Sequence, residues 1–203
     1  MTRGRFVVFE GIDASGKSTQ ARRAATQFSA LFTFEPGDSP LGADLRRWLL
    51  DAATPMTPIT ESLLMLADRS HHVSAVIEPS LAAGRSVISD RFSSSTIAYQ
   101  GYGRGVDLAQ LRAATDLAIG ACRADLTILL DVPVEVANDR RVRDYRDRFE
   151  SADLDFHERV RAGYLELAEH DPAHWFVLDG TAEEHAVTAA VNDRLCQLDW
   201  PGA

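Results

Sequence analysis

Gly11-Ile12-Asp13-Ala14-Ser15-Gly16-Lys17-Ser18 fits the spacing G-x-x-x-x-G-K-[ST], whose chemistry is the holding of a di- or triphosphate. Such a loop curls so that successive backbone N–H groups point inward, and the helix that follows adds its positive end to the cradle. Gly11 and Gly16 leave room for phosphate oxygens, Lys17 reaches the β and γ phosphates, and Ser18 offers its hydroxyl to Mg2+. Ile12, Asp13, Ala14, Ser15 and Thr19 complete the expected nucleotide-phosphate-binding segment. A Gly-rich strand-to-helix turn would account for the glycines and leave Lys17 without a reason.

A second element, Ser89-Asp90-Arg91-Phe92, puts an acid and a base at the end of a short apolar run. In an open α/β sheet that is the edge where ligands bind. Asp90 suits Mg2+ or its waters, and Arg91 suits a second phosphate. A third, Arg140-Arg141-Val142-Arg143-Asp144-Tyr145-Arg146-Asp147-Arg148, has almost nothing to bury. Alone it reads equally well as a solvated helix end with internal ion pairs.

These residues need a scaffold, and the chain spells one. Apolar runs at 6–9, 31–34, 87–89, 126–132 and 175–178 read as buried parallel strands. Between them, 17–28, 58–83, 108–121, 134–143, 155–169 and 182–198 read as amphipathic helices. Glu35-Pro36-Gly37-Asp38 ends the second strand, and Asp171-Pro172 precedes the last. The expectation is an α/β sandwich of about five parallel strands flanked by helices. No low-complexity linker divides residues 1–203, so one domain is expected.

Composition narrows the function. With 45% hydrophobic and 25% charged residues, the 203-residue chain suits one globular core. Its net charge of -9 argues against nucleic-acid binding as the main activity. No run approaches the ~18 apolar residues of a membrane span. Cys122 and Cys196 are too few for a disulfide framework and lack zinc spacing, so a cytoplasmic protein with reduced thiols is expected. A phosphate loop alone admits GTPases, ATPase motors and small-molecule kinases. No Asn-Lys-x-Asp sequence for guanine recognition is present.

The run Phe9-Glu10-Gly11-Ile12-Asp13-Ala14-Ser15-Gly16-Lys17-Ser18-Thr19-Gln20, the Asp90-Arg91-Phe92 element, Ala98-Tyr99-Gln100-Gly101 and Asp147-Arg148-Phe149-Glu150 together resemble the thymidylate kinase family. The match runs in order from Arg5 to about Leu198. It implies a P-loop NTPase-type three-layer sandwich, ATP and dTMP as substrates, Mg2+ as cofactor, and a homodimer. Family members transfer a phosphoryl group from ATP to dTMP, a step in dTTP biosynthesis.

By the same resemblance, Leu63-Leu64-Met65-Leu66-Ala67-Asp68-Arg69 is the helix segment that holds the thymine base. Arg69 matches the arginine that bonds it, and Met65, four positions earlier and on the same face, matches the stacking position. Met65 departs from the family's aromatic residue, and a thioether is a less defined platform. Arg91 matches the arginine on the acceptor phosphate, where a planar fork is favoured over lysine. Thr96 faces the base amide edge, Tyr99 blocks a ribose 2'-OH, Gln100 supports that loop, and Pro36 belongs to the acceptor turn. Phe34 stands where many relatives have arginine, so that contact is either missing or supplied from elsewhere.

Phosphoryl transfer asks a protein to align two nucleotides, neutralise charge and exclude water. This phosphate loop has no arginine, so the resemblance assigns the charge to a lid at about 140–150. Arg143 and Arg148 are the expected catalytic lid arginines, beside Lys17 and Arg91. Asp13 and Glu150 are expected near the acceptor sugar, with Phe149 closing over the substrate. Met65 and Phe34 keep open a kinase of another nucleotide or of a nucleoside. A non-catalytic nucleotide-binding protein is the remaining alternative.

Overall fold

The computed structural model describes residues 2–140, 148–149 and 152–200. Five strands form one parallel sheet: β1 (Phe6–Glu10), β2 (Leu31–Phe34), β3 (Val87–Asp90), β4 (Leu126–Asp131) and β5 (Trp175–Asp179). Their order is β2-β3-β1-β4-β5. Phe9 is in register with Asp90 on one side and Ile128 on the other, so β1 and its following loop sit at the middle of the ligand-binding edge.

Alternation along β1 makes the layers. Val7 and Phe9 face a core completed by Ala21, Ala24, Val187 and Val191. Phe6 and Val8 face the opposite core with Ile77, Leu81, Val87 and Phe92. Side chains two apart point to the same face, so a central strand apolar at every position must be covered on both sides. Burial of each such side chain contributes roughly 1.5–3 kcal/mol, which is why β1 tolerates no polar residue before Glu10.

The covering helices are α1 (Lys17–Gln27), α2 (Pro40–Leu50), α3 (Pro58–His72), α4 (Glu78–Ala82), α5 (Ser93–Thr96), α6 (Leu108–Ile119), α7 (Val134–Arg140), α8 (Leu154–His170) and α9 (Glu184–Leu195). The helix expected over 58–83 is broken by a π-helical turn at Val73–Ile77. Pro79, which has no N–H to donate backward, lies just beyond this wider turn. Helix α2 has no counterpart among the expected elements. Ser39 caps it, its hydroxyl accepting from the Gly42 N–H at 2.9 Å, and Pro40 opens the first turn. The same holds for α5 and the second π-helical turn that continues it, Ile97–Gly103. Among the described residues no helix is long and apolar enough to cross a membrane.

Candidate active site

The loop between β1 and α1 carries the phosphate-binding sequence. Gly11 has φ +145°, and a Cβ there would lie 2.7 Å from the Leu130 carbonyl oxygen, so only glycine fits. Ala14 and Gly16 also take positive φ, and α1 starts directly after Gly16. Lys17 is buried, with Nζ 3.4 Å from the Ile12 carbonyl oxygen and 3.8 Å from Asp13 Oδ1. Burial and the nearby Arg91 pull its pKa below the ordinary lysine value. The Ser18 hydroxyl donates to Asp90 Oδ2, while Asp90 Oδ1 is buried without a hydrogen-bond partner. One hydroxyl and one carboxylate with an unused oxygen form a hard, oxygen-only donor pair, which fits Mg2+ shared with phosphates.

Arg91 follows β3 in a left-handed conformation, φ +74°, and is the hub of the site. Its Nη2 donates to Asp13 Oδ1 at 2.6 Å and to the Tyr99 hydroxyl at 3.0 Å. Nη1 lies 3.1 Å from each of the Gly11 carbonyl, the Ser95 hydroxyl and the Tyr164 hydroxyl. The guanidinium also sits over the Tyr99 ring, 4.8 Å from its centroid. Behind it, fully buried Glu10 accepts from the Phe92 and Ser95 N–H groups and from the Ser95 and Tyr164 hydroxyls, at 2.6–3.1 Å. Burial pushes the Glu10 carboxyl above its ordinary value. The Tyr99 hydroxyl donates to Asp13 Oδ2 at 3.0 Å, tying the segment after α5 to the phosphate loop.

A cavity of about 410 Å³ runs from Lys17, Ser18 and Asp90 to Met65, Arg69, Thr96 and Gln100. Arg69 on α3 is 2% exposed, and its guanidinium donates to Glu35 Oε2 (2.8 Å), Thr96 Oγ1 (2.5 Å) and the Phe92 carbonyl (2.9 Å). His72 Nδ1 lies 2.8 Å from Glu35 Oε1. Burial opposes the Glu35 charge, yet Arg69 and His72 hold its pKa below the ordinary value. Beside them, burial and the Glu35 charge push Asp68 up to about 6. Asp68 Oδ2 accepts from the Gly37 N–H at 3.2 Å, and Oδ1 is buried with no partner. Gln100 Nε2 donates to Glu61 Oε1 at 3.0 Å.

The residues expected at the acceptor, Asp13, Pro36, Met65, Arg69, Arg91, Thr96, Tyr99, Gln100 and Phe149, all line this one cavity. Phe149 meets the Tyr99 ring edge-on, 5.7 Å between centroids. A neighbouring cavity of about 380 Å³ is lined by Ala14, Ser15, Gly16 and Thr19 together with the loop after β5. There Arg140 Nη1 donates to the Gly180 carbonyl at 2.9 Å. Arg148 lies elsewhere, on the end of α2. Its guanidinium donates to the carbonyls of Leu49 (3.2 Å), Asp51 (2.6 Å) and Thr54. Arg143 and Glu150 lie outside the described residues.

Sequence reasoning left several cavity groups without a role. Arg46 of α2 lines the cavity over the Phe34 ring and donates to the Pro36 carbonyl at 2.6 Å, so an arginine does stand beside Phe34. Ser95 and Glu35 line it too, and Tyr164 and Glu10 brace Arg91 from behind. A Ser39-Pro40 helix start, which the sequence reading did not use, is the one local signal that leads to Arg46.

A parallel sheet with this strand order, a phosphate loop at its centre and a second phosphate-sized basic site across one cavity define a P-loop phosphotransferase acting on nucleotides. The sequence profile of the family described as thymidylate kinase matches residues 9–191. A thymidylate kinase of Desulforudis audaxviator is 46% identical over 96% of this chain and 91% of its own. One of Caulobacter vibrioides is 45% identical over 97% and 98%. The crystal structure of thymidylate kinase from Ehrlichia chaffeensis superimposes with a TM-score of 0.78 at 33% identity, covering 94% of this chain and 98% of that one. The chain belongs to the thymidylate kinase family.

Proposed function

We propose that this chain transfers the γ-phosphoryl group of ATP to dTMP, giving dTDP and ADP for dTTP synthesis. The observation that carries the reading is that one cavity of about 410 Å³ runs from Lys17 at the phosphate loop to Met65, Arg69 and Thr96. In it the loop amides and Lys17 hold the donor phosphates, and ATP extends into the neighbouring cavity beside Gly180 and Thr181. Arg91, whose two terminal nitrogens meet five acceptors, exchanges some of these contacts for the acceptor phosphate. Tyr99 stands against the sugar, so a 2'-OH is excluded by contact. Ser18 and Asp90 would hold Mg2+, which when bound offsets charge on the phosphates.

The acceptor phosphate oxygen is already ionised at neutral pH, so the chain's task is alignment and charge stabilisation. Lid arginines Arg143 and Arg148 complete the catalytic set in this reading, and Glu150 joins Asp13 near the sugar. A homodimer is the proposed assembly, supported by Leu63 on α3 and Leu117 on α6, apolar side chains 59% and 86% exposed. Two free cysteines suit a cytoplasmic setting.

The test is ADP release with Mg-ATP and each of dTMP, dUMP, dCMP, dGMP, UMP and thymidine. Preference for dTMP is expected. Preference for another acceptor overturns the substrate, and no turnover with any overturns the activity.

A further inference from the structure

Glu61 sits on the first turn of α3 and is 2% exposed. It does not line the cavity; it stands behind Gln100, which does. Glu61 Oε1 accepts from Gln100 Nε2 at 3.0 Å, and the two Glu61 oxygens also receive Arg104 Nε and Nη2 at 3.3 and 3.4 Å. Arg104 is itself held over the Phe156 ring, 4.6 Å from its centroid. An ionised carboxylate only accepts hydrogen bonds, whereas a primary amide has one accepting and one donating end. Facing Glu61, the Gln100 amide therefore has one allowed orientation: NH2 toward the carboxylate, carbonyl oxygen toward the cavity.

We propose that Glu61 is a positioning residue for base selection, acting through Gln100. The inference rests on the acceptor reading of the cavity given above. With Oε1 of Gln100 fixed as an acceptor, the cavity favours a pyrimidine ring that carries an N–H at N3, as thymine and uracil do. A cytosine ring offers a lone pair at N3 and sets acceptor against acceptor. Arg104 holds the Glu61 carboxylate in place, so that the amide cannot turn to meet cytosine. Selection of this kind is strong, because the wrong base leaves buried polar groups unpaired.

The test is Glu61→Gln in the full chain, assayed with Mg-ATP against dTMP and dCMP. The amide that this substitution introduces can either accept or donate, so the Gln100 amide is free to turn. The expected result is a fall of about tenfold or more in the ratio of kcat/KM for dTMP over dCMP, carried by KM with kcat changed less than about threefold. Glu61→Asp keeps an acceptor-only carboxylate and is expected to retain the wild-type ratio. A merely structural role would lower both substrates together and leave the ratio unmoved, and that result overturns the proposal. Should Glu61→Gln fail to fold, wild-type calorimetry decides: N3-methyl-dTMP binding as tightly as dTMP overturns it, and binding weaker by about tenfold or more supports it. Absence of dTMP turnover in the wild type would instead strike the acceptor reading itself.

Discussion

Arg91 Nη2 donates to Asp13 Oδ1 at 2.6 Å, joining the residue after β3 to a variable position of the phosphate loop. The two strands that end at this pair are neighbours, Phe9 in register with Asp90, so the contact needs no reach across the fold. Its consequence is that the arginine proposed for the acceptor phosphate and the phosphate loop share one geometry. Arg91→Lys keeps the charge but offers one point donor in place of a fork held by five acceptors. We expect kcat/KM for dTMP to fall about 100-fold, and the melting temperature to fall as well because buried acceptors lose their partners. A fall of less than about threefold would remove Arg91 from the acceptor phosphate.

Lys17 is buried beside Asp13, Asp90 and Arg91, with its pKa pulled below the ordinary lysine value. Lys17→Ala removes a desolvated cation from the site of charge development. Turnover should drop by about 100-fold or more while the circular dichroism spectrum is unchanged. Near-normal ADP release would show that the cation takes no part in the transfer.

Met65 lines the cavity and packs against the cluster that contains Tyr99, Phe149 and Phe156. A flat ring at that position has a face to offer a pyrimidine. Met65→Phe is expected to tighten dTMP binding by about 0.5–1.5 kcal/mol, read by calorimetry. Unchanged or weaker binding would mean that residue 65 does not meet the base.

The strands were legible because each is a short apolar run; the sheet order buries β1, β3 and most of β4, and leaves the edge strands β2 and β5 only partly covered. Helix α2 was hidden because its apolar pattern does not report a core: Leu41 and Trp48 are about half exposed, and Leu49 is its one buried large side chain. The 93–103 segment begins Ser-Ser-Ser-Thr and contains Gly101 and Gly103, which reads as loop. Packing makes it helical, since a Cβ on Gly103 would lie 2.5 Å from the Phe156 ring. The phosphate loop was readable from local spacing. The Glu10–Tyr164 and Glu61–Gln100 contacts were not, because they join residues 154 and 39 positions apart.

Arg148, expected from the sequence as a lid arginine, is held by contacts with the end of α2 and the loop after it. Its backbone N–H donates to the Leu50 carbonyl at 3.1 Å, and its guanidinium meets three further carbonyls there. The Leu49, Leu50 and Asp51 carbonyls are acceptors at a helix terminus, where a cation is favoured, and the Thr54 carbonyl lies in the loop beyond it. Arg148→Ala is expected to destabilise the fold by about 1–2 kcal/mol, measured by urea denaturation. Full stability with kcat lowered about 100-fold would instead assign Arg148 wholly to catalysis.

Asp68 gives the chain a pH dependence of opposite sign to the usual carboxylate. Its folded pKa is raised from 3.8 to about 6 by burial and the Glu35 charge. Between those values the native state binds more protons than the unfolded chain, so stability falls as pH rises through the window and the loss is complete above about pH 7. Asp68→Asn leaves an oxygen for the Gly37 N–H and removes the ionisation. It should raise stability by about 1–2 kcal/mol at pH 7.5 and by almost nothing at pH 4. Thermal unfolding of both proteins across that range is the measurement. Equal slopes would show that the Asp68 charge is neutralised in the folded chain by Arg69 and His72, and that its burial costs nothing.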